Sequence, residues 1–423
     1  MKLLAMCSCI FLVLFFPLNL LAQSYDLTVM INGNNPQSKI IQQTTNSFTF
    51  EDFFPDILED ESMLLIEGFT KSGQELFKIN QVNSTAIRLE RFLHNGNSGL
   101  INLKQQLNIQ VPALHGLTSI KVYTPKINKG VFSWELKKQF TLTATRAKNR
   151  SAELNIPKSQ DMIKGLRPRL IHQRPKYRKV FLQHEGSSKK KVDLVLAGDG
   201  YTYSEKHKWL ADADDFKEKF FRHEPFKSNR KHFNVVRLDT YSRNSGAGEN
   251  YAYSKANFFG SHYNCNDIER LLCIDNNQAL RVFRRAFRSP KEFDIRVIIV
   301  NDKRYGASGG FFSVVNSNSD IAVLLHEVGH SFGGLADEYE GNAYSCDVSS
   351  EPKAPNVTLQ KDFKKAKWRN IPGTGHFEGG KYCKKGVYRA YRESLMRNLD
   401  YPFMPLHINA IEAKIMSITG QRP

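Results

Sequence analysis

Ile321-Ala-Val-Leu-Leu-His-Glu-Val-Gly-His-Ser-Phe-Gly-Gly-Leu-Ala-Asp-Glu-Tyr339 is the stretch on which the reading of this 423-residue chain turns. Residues 321–325 are apolar and uncharged, and with Val328 and Phe332 they predict a helix buried almost all round. The polar cluster Asn316-Ser-Asn-Ser-Asp320 precedes it and is suited to cap its start. Gly333-Gly334 ends it, because glycine enters positive φ without steric cost. Inside this buried helix stand His326, Glu327 and His330. Residues four apart lie one turn above another on one face, so the two imidazoles converge on one point, while Glu327 faces the neighbouring side. Two imidazoles to hold a zinc ion, with a carboxylate beside them to take a proton from water, are what metal-assisted hydrolysis needs. The competing reading is a pair of core histidines with Glu327 in an ion pair, and it requires partners for three buried polar groups.

A catalytic zinc keeps three protein ligands and one open position. The stretch resembles the metzincins, in which a glycine three residues past the second histidine ends the helix and a ligand follows three residues later. Gly333 fits that glycine, but the ligand position then holds Ala336, and Asp337 comes one residue further on. Asp337 is the expected third ligand, with an exposed loop aspartate as the bland alternative and Glu338 as the next candidate. Glu351 or Glu378 would take the role if the ligand came from a later element, as in a thermolysin-like arrangement. Ser394-Leu-Met-Arg397 resembles the methionine turn of the same proteins, which gives Met396 as a hydrophobic floor beneath the imidazoles. Tyr388, Arg389 and Tyr401, from the surrounding region, are candidates to stabilise an oxyanion, each with a structural reading beside it. Asp199, between two glycines at a predicted strand end, either faces the site or caps a turn.

Together these pieces resemble the bacterial immunoglobulin A peptidase family of zinc metallopeptidases. The resemblance rests on Ala197-Gly-Asp-Gly-Tyr-Thr202, Glu224-Pro-Phe226 with Phe233-Asn-Val235, the stretch from His326 to Tyr339, Ala354-Pro-Asn-Val-Thr358, and Gly386-Val-Tyr-Arg389 leading to Ser394-Leu-Met-Arg397. It covers about 190–418 and implies a secreted zinc endopeptidase acting on a protein or peptide substrate. Immunoglobulin A itself is not implied, since one family houses several targets.

The rest of the chain sets the context. Residues 1–22 carry one early lysine, an apolar run broken by Pro17 and a small residue before Gln23, the pattern of a secretory signal peptide. A retained membrane anchor is the alternative, and Cys7 lies too early for a convincing lipidation site. The expectation is therefore an exported protein, periplasmic, cell-surface or secreted in a bacterium, with no transmembrane segment once the signal is removed. Four cysteines remain, and an even number in an exported chain favours disulfides, with Cys265–Cys273 and Cys346–Cys383 preferred among three connectivities. The formal charge of +18 raises a nucleic-acid partner, but the excess sits largely in 146–191, ending in Lys189-Lys190-Lys191, with little aromatic interleaving. A solvated basic linker is the preferred reading, with no nucleic acid as partner.

Residues 23–145 show short apolar or alternating runs at 25–31, 47–50, 63–69, 101–103, 120–123 and 140–145, separated by Gly, Asn, Pro and Asp, which predicts an all-β sandwich domain. Residues 146–180 read as a basic linker or an extended arm along the next domain. In 181–423, predicted strands at 192–202, 232–239 and 293–301 alternate with helical stretches at 204–221 and 267–287, giving an α/β (α+β) zincin-like metallopeptidase domain. Two other functions compete: zinc-dependent exopeptidase cleavage, and a non-enzymatic adhesin or glycan-binding protein in which the metal is structural. The presence of Glu327 favours an enzyme, because a structural metal has no use for a general base.

Overall fold

The computed structural model describes residues 21–32, 35–49, 63–82, 105–112, 117–128, 131–142, 177–249, 256–265, 268–341 and 350–421. Most of the expected signal peptide, the expected strand at 101–103 and Cys346 lie outside the described residues.

The first part is β-rich. β1 (Leu21–Asn32), β2 (Asn35–Thr49) and β5 (Gln105–Pro112) form a three-stranded sheet in the order β2-β1-β5. β3 (Met63–Thr70), β4 (Glu75–Val82), β6 (Leu117–Asn128) and β7 (Val131–Thr141) form a second sheet in the order β4-β3-β6-β7, and every pairing in both is antiparallel. Leu64, Ile66, Phe77, Ile79, Ile120, Val122 and Phe140 bury one face of the second sheet. β4, β5 and most of β7 were not among the expected strands, and the strand expected at 140–145 ends at Thr141.

From residue 177 the fold is mixed α/β. β8 (Tyr177–Gln183), β9 (Val192–Asp199), β10 (Phe233–Thr240), β11 (Ile295–Val300), β12 (Ala307–Ser308) and β13 (Ser313–Asn316) make one sheet in the order β12-β13-β11-β9-β10-β8. Its four inner strands run parallel, and the two edge strands run antiparallel to their neighbours. The end of the expected linker, from Tyr177, is thus already an arm paired along this sheet. Parallel inner strands are covered on both faces, so they read as continuous apolar runs. Leu194, Leu196, Val235, Val297 and Ile299 pack beneath the helices α1 (Lys206–Phe220), α3 (Ile321–Ser331) and α4 (Pro405–Thr419). The alternate residues Val195, Ala197, Val236, Leu238, Ile298 and Val300 pack on the other face with α2 (Asn276–Ala286), where Met63 of the β-rich part joins the same core.

α2 is shorter than the helix expected over 267–287. Residues 268–274 are instead held as a loop by the Cys265–Cys273 disulfide (Cα–Cα 6.3 Å) and by the bridges His262↔Cys273 and Leu271↔Ala307. The helix begins only where Asp275 accepts a hydrogen bond from the Gln278 amide at 2.9 Å. Cys383 is also disulfide-bonded. A small third sheet, β14 (Val357–Thr358), β15 (Phe377–Gly380) and β16 (Cys383–Arg389) in the order β14-β16-β15, lies between α3 and α4 in the chain.

Candidate metal centre

α3 forms where the sequence places it. Asp320 caps it by accepting from the Ala322 amide at 2.8 Å, and every residue from Val323 to His330 is buried. Each large apolar side chain buried here contributes about 1.5–3 kcal/mol, enough to hold three polar groups inside the protein. The helix ends in a left-handed glycine cap: Gly334 takes φ +63° and its amide donates to His330 O, while the Leu335 amide reaches back to Gly329 O. The left-handed glycine is therefore Gly334 and not Gly333, and Asp337 follows it by three residues. The one-residue offset from the metzincin spacing lies before the turn: Gly334 follows His330 by four residues instead of three, and Asp337 keeps the spacing of three after the glycine.

The fold brings His326, His330 and Asp337 together, all buried, with donor atoms within 4.8 Å of one another. His326 Nε2 and His330 Nε2 lie 2.9 Å apart, and Asp337 Oδ1 lies 3.2 Å from the first and 2.9 Å from the second. Each imidazole is oriented from behind. His326 Nδ1 lies 2.8 Å from Leu395 O, and His330 Nδ1 lies 2.8 Å from Leu335 O. A carbonyl only accepts, so both Nδ1 atoms carry their protons, and the neutral rings then point two Nε2 lone pairs at each other and at a carboxylate oxygen. Three lone-pair donors at such distances fit a small cation shared among them. Burial works against ionisation of Asp337, but positive charge at the two imidazoles, whether a proton or a cation shared among the three groups, outweighs it and holds the carboxyl well below the usual range.

Asp337 sits on a strap fixed from both sides. Lys381 N donates to Asp337 O at 2.8 Å, Tyr382 N to Tyr339 O at 3.0 Å, and Gly341 N to Tyr382 O at 2.8 Å, so the β15–β16 turn holds one edge. Glu338 N donates to Met396 O at 2.8 Å on the other. Asn356 brackets Ala336, accepting from its amide at 2.9 Å and donating to its carbonyl at 2.7 Å. The Tyr382 hydroxyl donates to Asp337 Oδ2. Tyr382 and Asn356 escaped the reading of the sequence; only the quoted stretch Ala354-Pro-Asn-Val-Thr358 contained a signal for the second.

Glu327 is 1% exposed, and its carboxylate lies against Gly309, where any Cβ would overlap it. Met396 is fully buried and meets the helix at Gly329. The remaining candidates are placed elsewhere. Glu338 accepts from Asn356 Nδ2 at 3.0 Å and Ser394 Oγ at 2.6 Å, and faces His407 Nε2 at 2.9 Å, so it ties α4 and the methionine turn to the strap. Glu351 accepts from Thr358 and pairs with Lys367, and Glu378 accepts from the Gly386 amide. Tyr388 stacks on His376 with ring centroids 4.5 Å apart. Arg389 donates to the carbonyls of Glu378, Gly379 and Tyr391 and pairs with Glu340. Tyr401 is an exposed side chain. Asp199 caps turns, accepting from Ser242 Oγ and from the amides of Phe259 and Ser261, each at 3.0 Å.

The six-stranded sheet with its four parallel inner strands thus carries a buried His-Glu-x-x-His helix on one face and a third side chain on the following turn, a group that could hold a metal ion. Residues 180–376 match the family described as IgA Peptidase M64. The protein is accordingly a peptidase, with protein or peptide as substrate. The match includes α3 and Asp337 and stops before β15, so the resemblance read at 386–389 and 394–397 lies beyond it. No curated protein matches the chain.

Proposed function

We propose that the chain is a zinc-dependent endopeptidase, with His326, His330 and Asp337 as the metal ligands and Glu327 as the general base. The observation that carries this reading is the mutual approach of three lone-pair donors, two of them imidazoles whose other nitrogen is committed to a carbonyl. Zinc held there supplies Lewis-acid activation of water and polarisation of the peptide carbonyl. Glu327, the next residue along the helix from His326, accepts the proton of the attacking water and returns it to the leaving amine. Its burial, close against Gly309, keeps bulk water from competing for that proton. Leu395 O and Leu335 O hold the imidazoles in the tautomer that presents Nε2, and Met396 packs against Gly329 on the same helix.

The reading extends to the whole chain as a signal peptide over 1–22, a β-sandwich over 23–145 that positions the enzyme or its substrate, a basic linker over 146–180 whose end, from Tyr177, is an arm along the catalytic sheet, and a catalytic domain over 181–423 in an exported bacterial protein. The two antiparallel sheets support the sandwich, and the buried disulfide Cys265–Cys273 supports an oxidising compartment. Glu327→Gln is the test of mechanism: the variant is expected to retain zinc and lose cleavage of a proteome-derived peptide library. Unchanged cleavage would remove Glu327 from the reaction, and products trimmed only from chain ends would replace endopeptidase by exopeptidase.

A further inference from the structure

Tyr382 is the second residue of the two-residue turn between β15 and β16, and both turn residues are left-handed, Lys381 at φ 49° and Tyr382 at φ 66°. Turns of this shape ordinarily take Asn and Gly, because a Cβ crowds the backbone there at roughly 1–2 kcal/mol per residue. A tyrosine kept in this conformation is explained by what its side chain reaches. The ring stands edge-on to Tyr339, centroids 5.2 Å apart, and the hydroxyl donates to Asp337 Oδ2. The other carboxylate oxygen, Oδ1, is the one that faces the two imidazoles.

We propose that Tyr382 is a positioning residue for the metal: by occupying Oδ2 it makes Asp337 a one-oxygen ligand. A carboxylate free to turn can offer a metal both oxygens, and the second would fill the position that a catalytic zinc keeps open. The turn that carries Tyr382 also holds the Asp337 and Tyr339 carbonyls, so carboxylate and backbone are set by one element. The left-handed backbone is the cost of bringing a phenol from the hairpin tip onto the ligand. This inference rests on His326, His330 and Asp337 being the metal site.

Tyr382→Phe keeps the ring and removes only the hydroxyl. In the full-length protein its zinc Kd, measured by competition with a chromogenic chelator, is expected to weaken about 10–100-fold. The cobalt-substituted variant is expected to show weaker visible absorption than the wild type, as the cobalt gains a further oxygen. Lys381→Gly, which relaxes the same turn but leaves the hydroxyl in place, is expected to bind zinc as the wild type does. An unchanged Kd and cobalt spectrum in Tyr382→Phe would overturn the proposal, as would an equal loss of affinity in Lys381→Gly, which would assign the effect to the turn. A wild-type chain that takes up neither zinc nor cobalt would sink the metal reading itself, and this inference with it.

Discussion

Gly329 and Met396 touch across the floor of the site: a Cβ on Gly329 would stand 2.7 Å from the Met396 sulfur and 3.1 Å from the Phe403 ring. The glycine lies on α3 between His326 and His330, and the thioether fills the space its side chain would need. Gly329→Ala is expected to lose about 1–3 kcal/mol through overpacking, and to weaken zinc binding by displacing the floor. Urea denaturation and a zinc titration check both parts. Native stability with native affinity would mean that the floor is not closely packed.

The two glycines after the helix serve different ends. Gly334 has φ +63° with open space around its Cβ position, so Gly334→Ala should cost only the backbone penalty, roughly 1–2 kcal/mol. A Cβ on Gly333 would meet Gly329 O and Ile411 Cγ1, both at 2.8 Å. Gly333→Ala is therefore expected to act by forcing α4 away from α3, at about 1–3 kcal/mol. Because Ile411 is the obstacle in only one of them, the change Ile411→Ala, which removes the clashing Cγ1, should recover part of the loss in Gly333→Ala and none in Gly334→Ala. Denaturation midpoints of the four variants decide it.

Burial raises the Asp294 carboxyl to about 7, with the nearby Asp193 adding to the shift against the hydrogen bond that its own amide donates. The unfolded carboxyl titrates near 3.9, so between about 4 and 7 the folded protein holds more protons. Stability is then expected to fall as pH rises through that window and to level off above it. Asp294→Asn, which still accepts from the Asp193 amide, lacks this fall, and its stability relative to wild type should rise by roughly 1–3 kcal/mol between pH 4 and 8. Parallel pH profiles of the two proteins would contradict the assignment.

How much of this was legible in the sequence follows from how local each signal is. α3 was readable because its apolar run, its Asp320 cap and its glycine stop lie within one short stretch. Asp337 was a candidate in the sequence, but which of two adjacent glycines turns left-handed before it was not legible, since either residue can adopt that conformation and Gly334 is the one that does. The helix expected over 267–287 lost its first part to the Cys265–Cys273 disulfide and to pairing with β12, neither of which shows in helical periodicity. Tyr382 reaches Asp337 across 45 positions from a hairpin whose second strand opens Cys383-Lys-Lys-Gly386, a segment without apolar alternation. Met396 was expected from the form of its turn, whereas the partners of Glu338 on three separate segments follow only from the fold.

The most direct measurement of the central claim is anomalous diffraction at the zinc absorption edge from crystals of the metal-loaded protein. A single peak is expected within about 2.0–2.2 Å of His326 Nε2, His330 Nε2 and Asp337 Oδ1 together. A peak coordinated by Glu338 in place of Asp337, or zinc bound away from the two histidines, would contradict it.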